Sequence, residues 1–124
     1  MKQPLALLFY ESLLPGSQLG SKLQDLGYRV QTVSDPRRLQ ECAIREKPIV
    51  ILVDLLSQTT NVCIEIKGLK FNSATEHIPV IAFTVQNNLE LQNAAANAGA
   101  SLVASDVALL AHLPQLLDQA LQVD

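Results

Sequence analysis

The stretch that decides the fold is Pro48-Ile49-Val50-Ile51-Leu52-Val53-Asp54. Its apolar residues do not alternate with polar ones, the pattern of a strand covered on both faces. It ends on a single carboxylate. A second run of the same kind, Pro79-Val80-Ile81-Ala82-Phe83-Thr84, ends on a hydroxyl. In an open parallel sheet, ligands and chemistry sit at the carboxyl ends of the strands. The two runs therefore predict Asp54 and Thr84 on one rim.

Working outward, Leu5 to Phe9 reads as strand one. Pro15 and Gly16 open a helix that carries Leu19, Leu23 and Leu26 at helical spacing and stops at Gly27. Tyr28 to Val33 reads as a partly exposed strand two. Ser34-Asp35-Pro36 offers a capping side chain and then proline at the first helical position. The helix it starts should reach about Glu46, with Leu39 and Ala43 inward. Strand three is Ile49 to Val53, and Ser57 to Asn61 is a loop. Helix three spans about Asn61 to Lys70, with Val62, Ile66 and Leu69 inward, and Phe71 to His77 is again a loop.

Strand four is Val80 to Phe83, helix four about Leu89 to Ala98, closed by Gly99, and strand five about Ser101 to Ala104. One last helix is expected from Val107 to Gln122, where Leu109, Leu110, Leu113, Leu116, Leu117, Ala120 and Leu121 share a stripe. Pro114 must lie near its first turn or mark a break. Five βα alternations predict a parallel sheet with helices on both faces, and the 124 residues suit a single domain, 1–124.

The net charge of −3 argues against a nucleic-acid or anionic-membrane surface. The charge is uneven: all nine Lys and Arg lie at or before Lys70. Residues 71–124 hold five acids (Glu76, Glu90, Asp106, Asp118, Asp124) and no fixed positive charge. Cys42 and Cys63 are isolated and read as free thiols in helices, and His77 and His112 lack ligand spacing, so a zinc-type site is not expected. No apolar run has the length of a membrane span, and Met1-Lys2-Gln3-Pro4 leads into a strand without a secretory leader. A cytoplasmic protein is the expectation.

The ordered pieces resemble the receiver domain of two-component response regulators. Leu26-Gly27-Tyr28-Arg29-Val30 looks like its turn into strand two. Lys47 to Leu56 looks like the strand ending on the phosphoryl acceptor, and Ile78 to Thr84 like the fourth strand and its hydroxyl. Ala98-Gly99-Ala100 looks like the turn before strand five. The resemblance implies an α/β, flavodoxin-like, doubly wound five-stranded sheet of order 2-1-3-4-5 with five helices. It places the acceptor on Asp54 and the hydroxyl on Thr84.

The family's chemistry also needs an acidic pair after strand one, which holds a divalent cation. By the resemblance that pair falls on Tyr10 and Glu11, so one carboxylate is replaced by a phenol. The family's lysine after strand five falls on Asp106, and its switch aromatic on Val103. A carboxylate about 4 Å from a phosphoryl group repels it by several kcal/mol at an effective dielectric near 20. The proline and glycine of the loop after strand three fall on Gln58 and Val62, which alters the loop that carries the Leu56 carbonyl.

The expectation is thus a degenerate, or pseudo-, receiver: not an enzyme, without cofactor, and a phosphorylation-independent protein-interaction module. Its partner would be another signalling or regulatory protein or a second copy, not nucleic acid or membrane. The expected partner face is helix four, strand five and helix five, with Leu109, Leu116, Glu90 and Asp118. Tyr10 is expected to fill the vestigial pocket with its ring and to bond Asp54 through its hydroxyl. Two alternatives stand beside this. One is a weak phosphoryl-accepting switch at Asp54, with Glu11 and Asp54 holding magnesium. The other is a small-ligand module with its cleft near Tyr10 and Asp54.

Overall fold

The computed structural model of the chain describes residues 4–10, 13–55, 62–84 and 89–121, with only the backbone of 13–16. Its sheet has five parallel strands in the order β2-β1-β3-β4-β5. They are β1 (Leu5–Phe9), β2 (Arg29–Val33), β3 (Val50–Asp54), β4 (Val80–Thr84) and β5 (Leu102–Ser105). The central strands β1, β3 and β4 are buried at every residue, which is why their sequences run apolar without alternation. The edge strand β2 is buried only at Val33.

Two apolar layers flank the sheet. On one face α1 (Leu13–Asp25), α5 (Asp106–Ala111) and α6 (Leu113–Leu121) bury Leu19, Leu23, Leu109, Leu113 and Leu117 against Leu8, Leu52 and Phe83. On the other, α2 (Leu39–Glu46), α3 (Val62–Phe71) and α4 (Leu89–Ala98) bury Leu39, Ala43, Ile66, Leu69 and Ala95 against Phe9, Ile51 and Val53. With the order β2-β1-β3-β4-β5, right-handed crossovers put α1 on one face and the consecutive α2, α3 and α4 on the other.

Local chemistry sets the ends of these elements. Asp35 accepts the Arg37 amide at 3.0 Å and starts a 3-10 turn, Pro36–Arg38, that runs into α2. Gly27 and Gly99 take φ of 93° and 114°, the left-handed stops that follow α1 and α4. The buried Thr75 hydroxyl donates to the Leu69 carbonyl at 2.6 Å and ties the turn after α3 to that helix.

Several boundaries differ from expectation. β3, β4 and β5 each end one residue later, so Asp54, Thr84 and Ser105 belong to the strands. Leu26 lies beyond α1 and is exposed, because the chain has already left the helix at Asp25. The single last helix is in fact two, broken at His112. Pro114 cannot donate to the Leu110 carbonyl one turn back, and its ring would collide there, so the helix restarts with proline in the first turn of α6. The stripe survives the break: Leu109, Leu113 and Leu117 are all buried. Leu109 is 0% exposed and cannot serve as a partner contact, because it fills the layer between α5 and the sheet.

Candidate functional site

The carboxyl ends of the strands gather the rim residues. Asp54 closes β3 and pairs with Phe83, which places Thr84 one step further along the neighbouring strand. Thr84 in turn pairs with Ser105. Tyr10 follows Phe9, whose partner is Val53, so it leaves β1 beside Asp54. Adjacent strands lie about 4.8 Å apart, so Tyr10, Asp54, Thr84 and Ser105 occupy one edge of the sheet, in strand order.

Asp54 and Thr84 are both fully buried. No buried side-chain oxygen among the described residues lacks a hydrogen-bond partner, so both are satisfied. A buried polar group with its partners in place is costly to disturb. Tyr10 is half-buried and packs its ring on the apolar layer under α1. The expected bond from its hydroxyl to Asp54 is not made among the described residues; the ring's packing, not the phenol, holds Tyr10 in place.

Ser105 is a rim residue that the sequence reading missed. Its hydroxyl accepts the Ala108 amide at 3.1 Å and caps α5. The available signal was Ser-Asp immediately before an apolar run. Asp106 is therefore the first residue of α5, where a carboxylate complements the positive end of the helix. Val103 lies in β5, half-buried against the α2–α3–α4 layer, and pairs with Ala82.

Glu11, Leu56, Gln58 and the polar stretch before α4 lie outside the described residues. Val62 is the buried first residue of α3. No group of three or more His, Cys, Asp or Glu able to hold a metal forms among the described residues. Near Asp54 the described residues offer one carboxylate and a phenol, and Glu11, the other expected magnesium ligand, lies outside them. The groove beside Tyr10, reaching Ser21, Gln24 and Thr32, holds about 250 Å³. That is small beside the roughly 300 to 1,000 Å³ of ordinary ligand sites.

The charged residues expected to share a face do not. Glu90 is exposed on α4. Asp118, on α6, is close enough to Tyr28 for its carboxylate to raise the phenol's pKa, after the larger effect of burial. Tyr28 leads into β2, at the opposite edge of the sheet from β5. α6, which carries Asp118, packs its leucines into the layer with α1 and α5, whereas α4, which carries Glu90, packs into the opposite layer. Leu116 is half-buried, and the exposed large apolar residues on α4 and α5 are Leu89 (68%) and Val107 (70%). Neither Cys42 nor Cys63 is in a disulfide among the described residues; Cys42 is buried, and partial burial pushes the Cys63 thiol up. No described helix is long and apolar enough to cross a membrane.

No protein-family profile matches the chain, and no curated protein emerges as a relative. Solved structures do match. The chemotaxis protein CheY4 of Vibrio cholerae superposes with a TM-score of 0.83 at 20% identity, over 96% of this chain and 99% of that one. The beryllofluoride-activated N-terminal receiver domain of Klebsiella pneumoniae RstA gives 0.81 at 17%, over 96% and 99%. A two-component response regulator of the LuxR family from Aurantimonas gives 0.82 at 16%, over 97% and 86%. At these identities the likeness speaks for architecture, and with the 2-1-3-4-5 sheet and helices on both faces it establishes that this chain has the fold of a response-regulator receiver domain.

Proposed function

We propose that the chain is a pseudo-receiver: a phosphorylation-independent protein-interaction module in signalling or regulation. The observation that carries this reading is compositional. No Lys or Arg follows Lys70, so nothing after β5 can neutralise a phosphoryl group on Asp54, and the residue at the corresponding place is Asp106. Tyr10 beside Asp54 supports the same reading, since a phenol replaces one of the two acids that would bind the cation. The partner is another signalling or regulatory protein, or a second copy of the chain. It docks on α4, β5 and α5, where the apolar contact comes from Leu89 and Val107.

The test is incubation with acetyl phosphate and magnesium. The expected result is no acid-labile label. Labelling that Asp54→Asn abolishes would overturn the reading and establish a phosphoryl-accepting switch, which the shared rim of Asp54 and Thr84 favours as the second reading. Magnesium-dependent binding of beryllofluoride would support that second reading independently.

A further inference from the structure

At the other end of the sheet, where β3, β4 and β5 begin, the chain forms an open hollow of about 560 Å³. Its walls are apolar at Ile49, Pro79 and Leu121. Its charged and polar groups are Lys47, Lys70, His77 and the Ser101 hydroxyl, and among the described residues no carboxylate lines it.

Lys70 is held in place. Its Nζ donates to the Ile78 carbonyl at 2.7 Å and to the Glu76 carbonyl at 3.3 Å. Its stem runs against Gly99, where a Cβ would meet the Lys70 Cγ at 2.7 Å. An ammonium has three donors, so one remains for a ligand. Burial pushes the Lys70 pKa down, the mark of a cation partly stripped of water. Lys47 caps α2 in a left-handed conformation, φ 52°. Neither lysine forms an ion pair among the described residues.

A simpler account is that these cations complement the carboxyl ends of α2, α3 and α6. Each helix end carries about half a negative charge, felt only within its last turn. Together these amount to less than two ammonium groups. The account explains the positions of Lys47, after α2, and of Lys70, in the last turn of α3, but not why both face an apolar hollow together with His77 or why the Lys70 Nζ bonds carbonyls beyond its own helix.

We propose that this hollow binds a small organic anion with an apolar body, its acidic group between Lys70 and Lys47 and its body against Ile49, Pro79 and Leu121. The volume suits one such molecule. A partly buried cation with no carboxylate partner among the described residues gains most from an anion that brings its own apolar cover. The site lies across the sheet from Asp54 and does not depend on the partner reading.

The test uses the full chain and two dyes of similar shape: 8-anilinonaphthalene-1-sulfonate, which is anionic, and N-phenyl-1-naphthylamine, which is neutral. Fluorescence titration should show one-to-one saturation by the sulfonate and binding of the neutral dye about tenfold weaker or worse. Amide shifts in NMR should cluster at residues 47–49, 77–79 and 101. Lys70→Met and Lys47→Gln should each weaken the sulfonate by about tenfold. If Lys70→Met does not fold, the exposed Lys47 carries the comparison. The proposal fails if shifts gather in the larger apolar groove between α1 and α5 instead. It also fails if both variants bind as the parent does, if the neutral dye binds equally well, or if inorganic phosphate alone binds as tightly as the sulfonate.

Discussion

Thr84 and Ser105 are direct partners at the ends of β4 and β5, and the Ser105 hydroxyl caps the helix that begins at the next residue. The rim of the sheet and the start of α5 are thus one piece of structure. Asp106 follows Ser105 directly and sits in the first turn of a capped helix.

That position makes Asp106 useful to the fold. A carboxylate in the first turn meets the positive helix end, and a cation there meets it unfavourably. Asp106→Lys is expected to destabilise the protein by about 1 kcal/mol, read from the midpoint of urea unfolding. A neutral or stabilising result would show that the acid contributes nothing to α5.

Asp54 is more than a remnant at a strand end. It is fully buried and partnered, so removing its side chain takes an acceptor away from those partners. Asp54→Ala is expected to cost about 1 to 3 kcal/mol. Asp54→Asn, which keeps the shape and can accept hydrogen bonds, should cost less. Equal and negligible losses in denaturant melts would mean that the buried carboxylate does not support the rim.

Much of this arrangement was legible in the sequence because it rests on local rules. Non-alternating apolar runs mark the central strands, Asp35-Pro36 marks the entry to α2, and Gly27 and Gly99 mark helix stops. The break at His112 was less legible, since the leucine stripe reads continuously across Pro114 and only the backbone collision reveals the restart. Which leucine of that stripe is fully enclosed depends on the sheet beneath it, so the burial of Leu109 was not readable. The hollow around Lys70 was hidden for the same reason: Lys47, Lys70, His77 and Ser101 are distant in sequence and meet only because three strands start side by side.

Tyr28 gives the alkaline limb of stability a definite sign. Burial, and secondarily the Asp118 carboxylate, raise its phenol above the ordinary value of 10.0. The fold therefore favours the neutral phenol. This contribution is fully present below the unfolded value and is lost as pH rises through the folded one. Lys70 acts in the opposite direction over the same range, because burial lowers its pKa and its deprotonation favours the fold. Melting temperatures from about pH 8 to about pH 11 should fall less steeply for Tyr28→Phe than for the parent protein. An unchanged slope would place the phenol in contact with water in the folded state.

The charge asymmetry makes a prediction about partners that geometry now sharpens. Residues 71–124 carry acids and no Lys or Arg, which steers a partner with a basic patch toward this half. Beyond about 8 Å in physiological salt, exposed charges are largely screened. Glu90, on α4, lies within the proposed face, whereas Asp118, on α6, is exposed and acts electrostatically on the Tyr28 phenol. Glu90→Lys should therefore slow association with the natural partner, and Asp118→Lys should do so only at low salt. Apolar truncation at Leu89 or Val107 should instead speed dissociation, since contact area governs how long a complex lasts. Binding kinetics of these variants at two salt concentrations would separate the effects. If Asp118→Lys slows association more than Glu90→Lys, the partner lies toward α6. If changes at Tyr10 alone abolish binding while all of these leave it intact, the partner reads the strand-end rim and the face over β5 is not the interface.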